Sequence, residues 1–291
     1  MSFDSIMFNI GARKSDRKRD KKIPFPKGVI QIKDISYGPH RKHNLMDIYY
    51  PEGADRCPII VSVHGGGFVY GDKELYSRYC MDLARRGFAV VNFNYRLAPR
   101  WKFPAPLEDI NNVMLWLSRH AKQYHADNNY IFMVGDSAGA QLASQYAAML
   151  TNPDYMALFG LKRPIERIQL RAIGLNCGLY DMKNVAAGER KGIHLDYLGK
   201  KLSNDDPRLA VLENITSGFP PAHITTSCHD FLRECAQPMC DFLSSKGVEA
   251  VCKCYGTEDD KTIGHVFHVN IILDEAIRCN DEQCAFFREH M

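Results

Sequence analysis

No run of apolar residues in this 291-residue chain approaches the ~20 needed to cross a bilayer as a helix. A signal peptide is also missing. In "MSFDSIMFNIGARKSDRK" the apolar stretch is short, holds Asp4 and Asn9, and precedes the positive charges instead of following them. A cytoplasmic location is therefore expected, with no membrane partner. Charge of one sign is scarce: the formal net charge is only +3, too mild to point to nucleic acid. Most of that excess sits in "RKSDRKRDKK", residues 13–22, read here as a solvated terminal segment. There are ten cysteines but no C-x-x-C pair, which argues against a metal knuckle and leaves buried free thiols as the expectation. Neither G-x-G-x-x-G nor a G-K-[ST] ending occurs, so the glycines are not read as phosphate cradles. No cofactor and no metal are expected, and the chain has no internal repeat.

With 45% hydrophobic and 24% charged residues, the composition is that of an ordinary globular chain with a sizeable core. From residue 30 onward, strand and helix patterns alternate. "IQIKDISY" and "LMDIYY" read as early strands, and "PIIVSV" (58–63) as a buried strand ending at a glycine cluster. A helix at about 76–86 is closed by Gly87, and "FAVVNFN" follows as a strand. The next helix, about 105–123, carries Ile110, Val113, Met114 and Leu117 on one stripe. "YIFMVG", "IQLRAIGLN", "AHITTSC" and "VEAVCKCY" are further strands, with helices after Ser137, near 233–246 and near 270–288. Repeated βαβ units predict an α/β fold with a mostly parallel central sheet flanked by helices. Residues 178–220 break the rhythm, with "HLDYLGKKL" as their best helix candidate. An insertion of that size suggests a lid over a site.

Three motifs carry chemistry. "GDSAG" (135–139) falls between a predicted strand and a predicted helix, the setting of a nucleophile elbow that exposes Ser137 on a tight turn. "HGGG" (64–67) follows the strand 58–63. Glycines there let the main chain present amides to a developing oxyanion with no side chain in the way. A serine needs a base and the base needs an orienting acid. Asp230 follows the strand "AHITTSC", and "GHVFH" follows the last strand, so both fall where α/β active sites collect. His265 and His268 are both candidates for the base, with His268 expected in the last helix as a structural or pocket-lining residue. Glu258, Asp259 and Asp260 read as solvated turn charges, and His125, His194, His223 and His229 have no spacing that demands a role.

Taken jointly, HGGG, "YRLAP…FPAPLEDI", GDSAG, "FPPAHITTSCHDFLRE" and HVF resemble the hormone-sensitive-lipase-like esterases of the α/β-hydrolase superfamily. The resemblance spans roughly residues 45–290. It implies hydrolysis of short-chain carboxylic esters through an acyl-enzyme, with Ser137 as nucleophile, His265 as base and acid, and Asp230 orienting it. It also implies an oxyanion hole built from backbone amides among Gly65, Gly66, Gly67 and Ala138, with Phe68 and Tyr70 bordering the pocket. Residues 1–40 become an N-terminal cap segment and 41–291 the catalytic domain, with 178–220 as a cap insertion. Three positions depart from the family pattern: Ala140, Phe231 and Val266 stand where Gly, Pro and Gly are usual. The implied partner is a small-molecule ester, and a homodimer is left open. A sugar or xylan acetylesterase is the alternative enzyme, and a non-catalytic small-molecule-binding homologue the alternative of another class. The link 95–110 is expected to tie the oxyanion turn in place through Arg96 and Asp109.

Overall fold

The computed structural model describes residues 1–164, 168–188 and 191–291. The apolar runs form one eight-stranded sheet: β1 (Val29–Ser36), β2 (Leu45–Pro51), β3 (Cys57–Val63), β4 (Ala89–Phe93), β5 (Ala126–Asp136), β6 (Leu170–Asn176), β7 (Ala222–Ser227) and β8 (Ala250–Tyr255). Their order is β1-β2-β4-β3-β5-β6-β7-β8. β2 pairs antiparallel with β1 and β4, and every other neighbour is parallel. Central strands of such a sheet are covered on both faces, which is why β3 and β4 read as continuous apolar runs instead of alternating. Val61 sits in register with Val91 on one side and Met133 on the other, all three fully buried.

Helices cover both faces. α3 (Ala105–His120), α4 (Ala138–Thr151) and α8 (Ala236–Ser245) pack on one side, burying Leu107, Ile110, Met114, Leu142, Met239 and Leu243. α2 (Ser77–Arg85) and α9 (Asp274–Glu289) cover the other with Cys80, Leu83, Cys284 and Phe287. The α/β architecture expected from the strand–helix alternation is the one observed. α5 (Pro153–Ala157) is a short helix that follows α4. The 178–220 insertion holds α6 (Met182–Ala187), α7 (Gly192–Leu198) and two 3₁₀ turns, and its residues 189–190 lie outside the described residues.

The N-terminal segment is helical, which the basic run alone does not announce. Phe3–Asp20 is an 18-residue helix, α1, and the basic run forms its second half. Ser2 caps it by accepting from the Ser5 amide at 3.3 Å, Asp4 lies in the first turn, and Arg17–Arg19 lie in the last, where charge suits the helix dipole. Its inward face is Ser5, Phe8, Ala12, Asp16 and Arg19, a mixture of small, aromatic and polar residues that produces no apolar period. The helix is fastened to α7, since Ser2 donates to Asp196 Oδ2 from its amide at 2.7 Å and from its hydroxyl at 3.0 Å. The 1–40 segment is thus divided, with α1 lying against α7 and β1 forming the sheet edge.

The proline-rich link after β4 is fixed at both ends. Arg96 Nε donates to both Asp109 carboxylate oxygens at 3.0 and 2.9 Å, and the Arg96 amide donates to Oδ2 at 2.7 Å. Arg96 Nη2 also reaches the Ala105 carbonyl and Glu108. On the other side, the Tyr95 hydroxyl donates to the His64 carbonyl at 2.9 Å, and the Ala98 amide to the Phe68 carbonyl at 2.9 Å. One short segment therefore clamps the glycine turn to α3.

Candidate active site

Ser137 occupies the single residue between β5 and α4, with φ 53° and ψ −119°. A non-glycine residue in that region is strained, and the neighbouring packing must hold it there. Its amide is anchored to the Asn176 carbonyl on β6 at 2.9 Å. The flanking glycines are required by contact: a Cβ on Gly135 would lie 2.3 Å from the Gly139 carbonyl oxygen, and one on Gly139 2.1 Å from that of Val63. The serine is thereby pushed out at the C-terminal edge of the sheet.

Asp230 and His265 come from the next strand ends. The pairing of β7 with β8 continues past both strands through a parallel bridge between His229 and Gly264, and the Ser227 hydroxyl donates to the Gly264 carbonyl at 3.0 Å. This sets the two residues side by side. His265 Nδ1 lies 2.6 Å from Asp230 Oδ1, and its Nε2 lies 3.0 Å from Ser137 Oγ. Asp230 also accepts from the Thr226 hydroxyl and the Leu232 amide, each at 2.9 Å. Burial pushes its carboxyl up, but the His265 hydrogen bond and charge, the Leu232 amide and the Cys177 thiol together hold it below the usual carboxylate range. It stays ionised and fixes the imidazole with Nε2 facing the serine. The Phe231 ring lies 4.2 Å from the His265 ring while remaining 74% exposed.

His268 is not in the last helix. It sits on a 3₁₀ turn, Phe267–Val269, because Val266 adopts the left-handed conformation and breaks the chain direction before α9 begins at Asp274. It is fully buried edge-on against Tyr79, and burial lowers its pKa to about 3. It does not line the cavity. Glu258 pairs with Arg233 at 2.7 Å on the exposed loop.

The three glycines are not equivalent. The Gly65 amide already donates to the Tyr76 hydroxyl at 3.0 Å, which in turn donates to Asp136 Oδ2 at 2.7 Å. Gly66 has φ 114°, and a Cβ there would lie 2.1 Å from the Tyr70 carbonyl oxygen. Among the described residues the Gly66 and Gly67 amides have no protein acceptor. The Ala138 amide is the first of its helix and has no intrahelical partner. His64 supports the turn from beneath: it stacks on Tyr95 at 4.1 Å, and Nδ1 donates to the Gly65 carbonyl at 2.7 Å. Burial lowers its pKa to about 4, so it is neutral near pH 7.

These groups open onto a cavity of about 660 Å³. Phe8 of α1, Leu179, Val185, Ile193 of α7, Phe231 and Val266 give it largely apolar walls. Phe68 is stacked face to face on Tyr197 at 3.9 Å, and the Tyr70 hydroxyl donates to Asp16 at 3.0 Å. Cys177, Asp230 and His265 place one donor each within 4.8 Å of one another. That grouping has the chemistry of a metal site, but the Nδ1–Oδ1 hydrogen bond occupies the lone pairs a cation would take. The resemblance implies an N-terminal cap, but nothing in the sequence shows which residues of α1 meet the cavity, nor the supporting contacts of Tyr76, Asp136, Cys177 and Thr226. Asp136 and Thr226 stand inside quoted motifs that do not announce these contacts, and Tyr76 and Cys177 meet Asp136 and Asp230 from far away in sequence.

A serine on a strand-to-helix turn, aligned with an imidazole and a carboxylate at the ends of parallel strands, defines an α/β hydrolase. Residues 60–268 match the family model described as alpha/beta hydrolase fold, and the chain belongs to this family, in its hormone-sensitive-lipase-like branch. It is 30% identical over 214 residues to esterase LipI of Mycobacterium tuberculosis, covering 69% of this chain and 65% of that one. It is likewise 30% identical over 179 residues to esterase LipQ of the same organism, covering 60% and 42%. The matched stretch thus spans less than two thirds of either relative. In structure it is similar to esterase B from Lactobacillus rhamnosis inhibited by a tributyrin phosphonate, with a TM-score of 0.84, 26% identity, and 96% and 92% of the two chains covered.

Proposed function

We propose that this chain is a serine carboxylesterase that hydrolyses short-chain acyl esters. The observation that carries the reading is the unbroken line of hydrogen bonds from Asp230 through His265 to Ser137, ending in an apolar cavity beside unpartnered backbone amides. Ser137 Oγ attacks the ester carbonyl as His265 Nε2 takes its proton, and the oxyanion is held by the amides of Gly66, Gly67 and Ala138. The C–O bond to the alcohol then breaks, and the alcohol leaves with the proton from Nε2. Water attacks the acyl-serine through the same base, and the acid departs as Ser137 regains its proton. Asp230 stabilises the imidazolium formed at each step. Gly65 is a structural member of the turn, since its amide serves Tyr76.

A short acyl group suits a cavity with aromatic and branched walls and a Phe68 immobilised on Tyr197. The relative esterase B, inhibited by a tributyrin phosphonate, supports the same range. α1 and the 178–220 insertion act as the cap of this cavity, and Tyr70, held by Asp16, joins the cap to the glycine turn. The test is hydrolysis of p-nitrophenyl acetate, butyrate and octanoate by the wild type and by Ser137→Ala. The expected result is turnover strongest on the two shorter esters and lost in the variant. Absence of turnover on all three, or activity surviving in Ser137→Ala, refutes the proposal.

A further inference from the structure

The outward face of α1 is unusual for a surface helix. Phe3, Ile6, Met7 and Ile10 follow the i, i+3, i+4, i+7 spacing of a buried stripe, yet they are 74%, 43%, 51% and 58% exposed. The same line continues along the helix as Lys14, Arg17, Lys18 and Lys21, all exposed. None of these four cations forms an ion pair within 4 Å among the described residues. The acids of the helix lie elsewhere: Asp16 and Asp20 pair with Arg19, and Asp4 lines the cavity. The helix and its C-cap thus present about 12 Å of apolar surface followed by about 12 Å of unpaired positive charge.

We infer that this face docks the protein on an anionic lipid surface. Apolar side chains enter the boundary between headgroups and acyl chains, while lysines and arginines along the same line meet lipid phosphates and carboxylates. Charge complementarity selects that occupant. A nucleic acid has no use for the four exposed apolar residues, and a second copy of this face would set its cations against their own kind. The proposed contact is adsorption through α1, and among the described residues no helix is long and apolar enough to span a bilayer. Because Phe8, Ala12 and Asp16 on the opposite side of α1 line the cavity, docking places that cavity next to the lipid boundary. The docking itself does not depend on the esterase reading.

The test is co-sedimentation of the full chain with sucrose-loaded vesicles of phosphatidylcholine alone or mixed with 30% phosphatidylserine, taken as about one lipid in three. The two variants are Ile6→Gln/Met7→Gln/Ile10→Gln and Lys14→Gln/Lys18→Gln/Lys21→Gln, and circular dichroism, together with hydrolysis of a soluble ester, reports on their fold. Wild type is expected to bind the anionic vesicles and to release them as salt is raised. Each lysine near such a surface contributes about fivefold, so the charge variant should lose roughly a hundredfold in partitioning. The apolar variant should lose more than tenfold, and both should keep wild-type turnover. No binding to anionic vesicles by wild type, or binding indifferent to the apolar variant, overturns the inference. A dimer in solution that the apolar variant dissolves, without vesicle binding, assigns the face to a second copy and overturns it as well.

Discussion

Arg96 and Asp109 offer a quantitative test of how the active-site face is held. Asp109 is fully buried and Arg96 is 7% exposed, so replacing the arginine by methionine leaves a buried carboxylate without its counter-charge. Breaking such a pair on one side typically costs 3–5 kcal/mol. The lower end applies here, about 3 kcal/mol, because the backbone amide of residue 96 still reaches Asp109 Oδ2. The loss should depend on pH in a definite direction. Burial already raises the Asp109 carboxyl, against the opposing hydrogen bond and charge of Arg96, and removing Arg96 raises it further. A carboxyl raised in the folded state binds its proton more tightly there than when unfolded, so stability falls as pH rises towards the folded value. Urea titrations should therefore show a larger deficit at pH 7.5 than at pH 5. Arg96→Met/Asp109→Leu should regain at least half of it. Through Tyr95–His64 and Ala98–Phe68 the same change loosens the glycine turn, and kcat on p-nitrophenyl butyrate should fall about tenfold or more. A deficit under about 1 kcal/mol, or one unchanged by pH, refutes the electrostatic reasoning. An unchanged kcat refutes the proposed coupling to the turn.

Other expectations follow from the same geometry. His265→Ala should lower kcat by about 10³-fold or more, while His268→Ala, though less stable, should keep activity within about tenfold of wild type, as steady-state rates will show. Gly66→Ala places a Cβ against the Tyr70 carbonyl and should lower kcat by about 10²–10³ with circular dichroism unchanged. Burial raises Asp136 to about 6 against the Tyr76 hydrogen bond, so its charge weakens the fold above pH 6 and the penalty fades as pH drops towards 4. Asp136→Asn should thus raise Tm at pH 7.5, by about 1–2 kcal/mol equivalent, and change little at pH 4. A lower Tm at pH 7.5 contradicts this.

The sheet was legible in the sequence because each parallel strand is a short apolar run ending at a glycine or polar turn. β3 and β5 each lead directly into a glycine-rich motif. The GDSAG and HGGG turns were legible for a related reason: close backbone contacts, such as that of Gly139 with Val63, leave only glycine as a solution. α1 was not legible. Its inward face mixes Ser5, Phe8, Ala12 and Arg19, its helically spaced apolar residues point outward, and the basic run 13–22 reads as a solvated segment, so only the family resemblance marks residues 1–40 as a cap. His268 reads as part of the last helix because nothing in "GHVFHVN" announces that Val266 takes a left-handed turn. The glycine whose amide is occupied could not be singled out either, since Tyr76 is eleven residues from Gly65 and meets it only after α2 folds.

The proposed reacting groups stand on the ends of β3, β5, β7 and β8, whereas much of the cavity wall belongs to α1, α6 and α7. These are different parts of the molecule with different sequence constraints. Phe8, Val185 and Ile193 can be varied without disturbing a strand register or the strained serine turn. On the proposed esterase reading, substrate scope is thereby modular: a directed-evolution library confined to those three positions would explore new esters while Ser137, Asp230 and His265 stay in place.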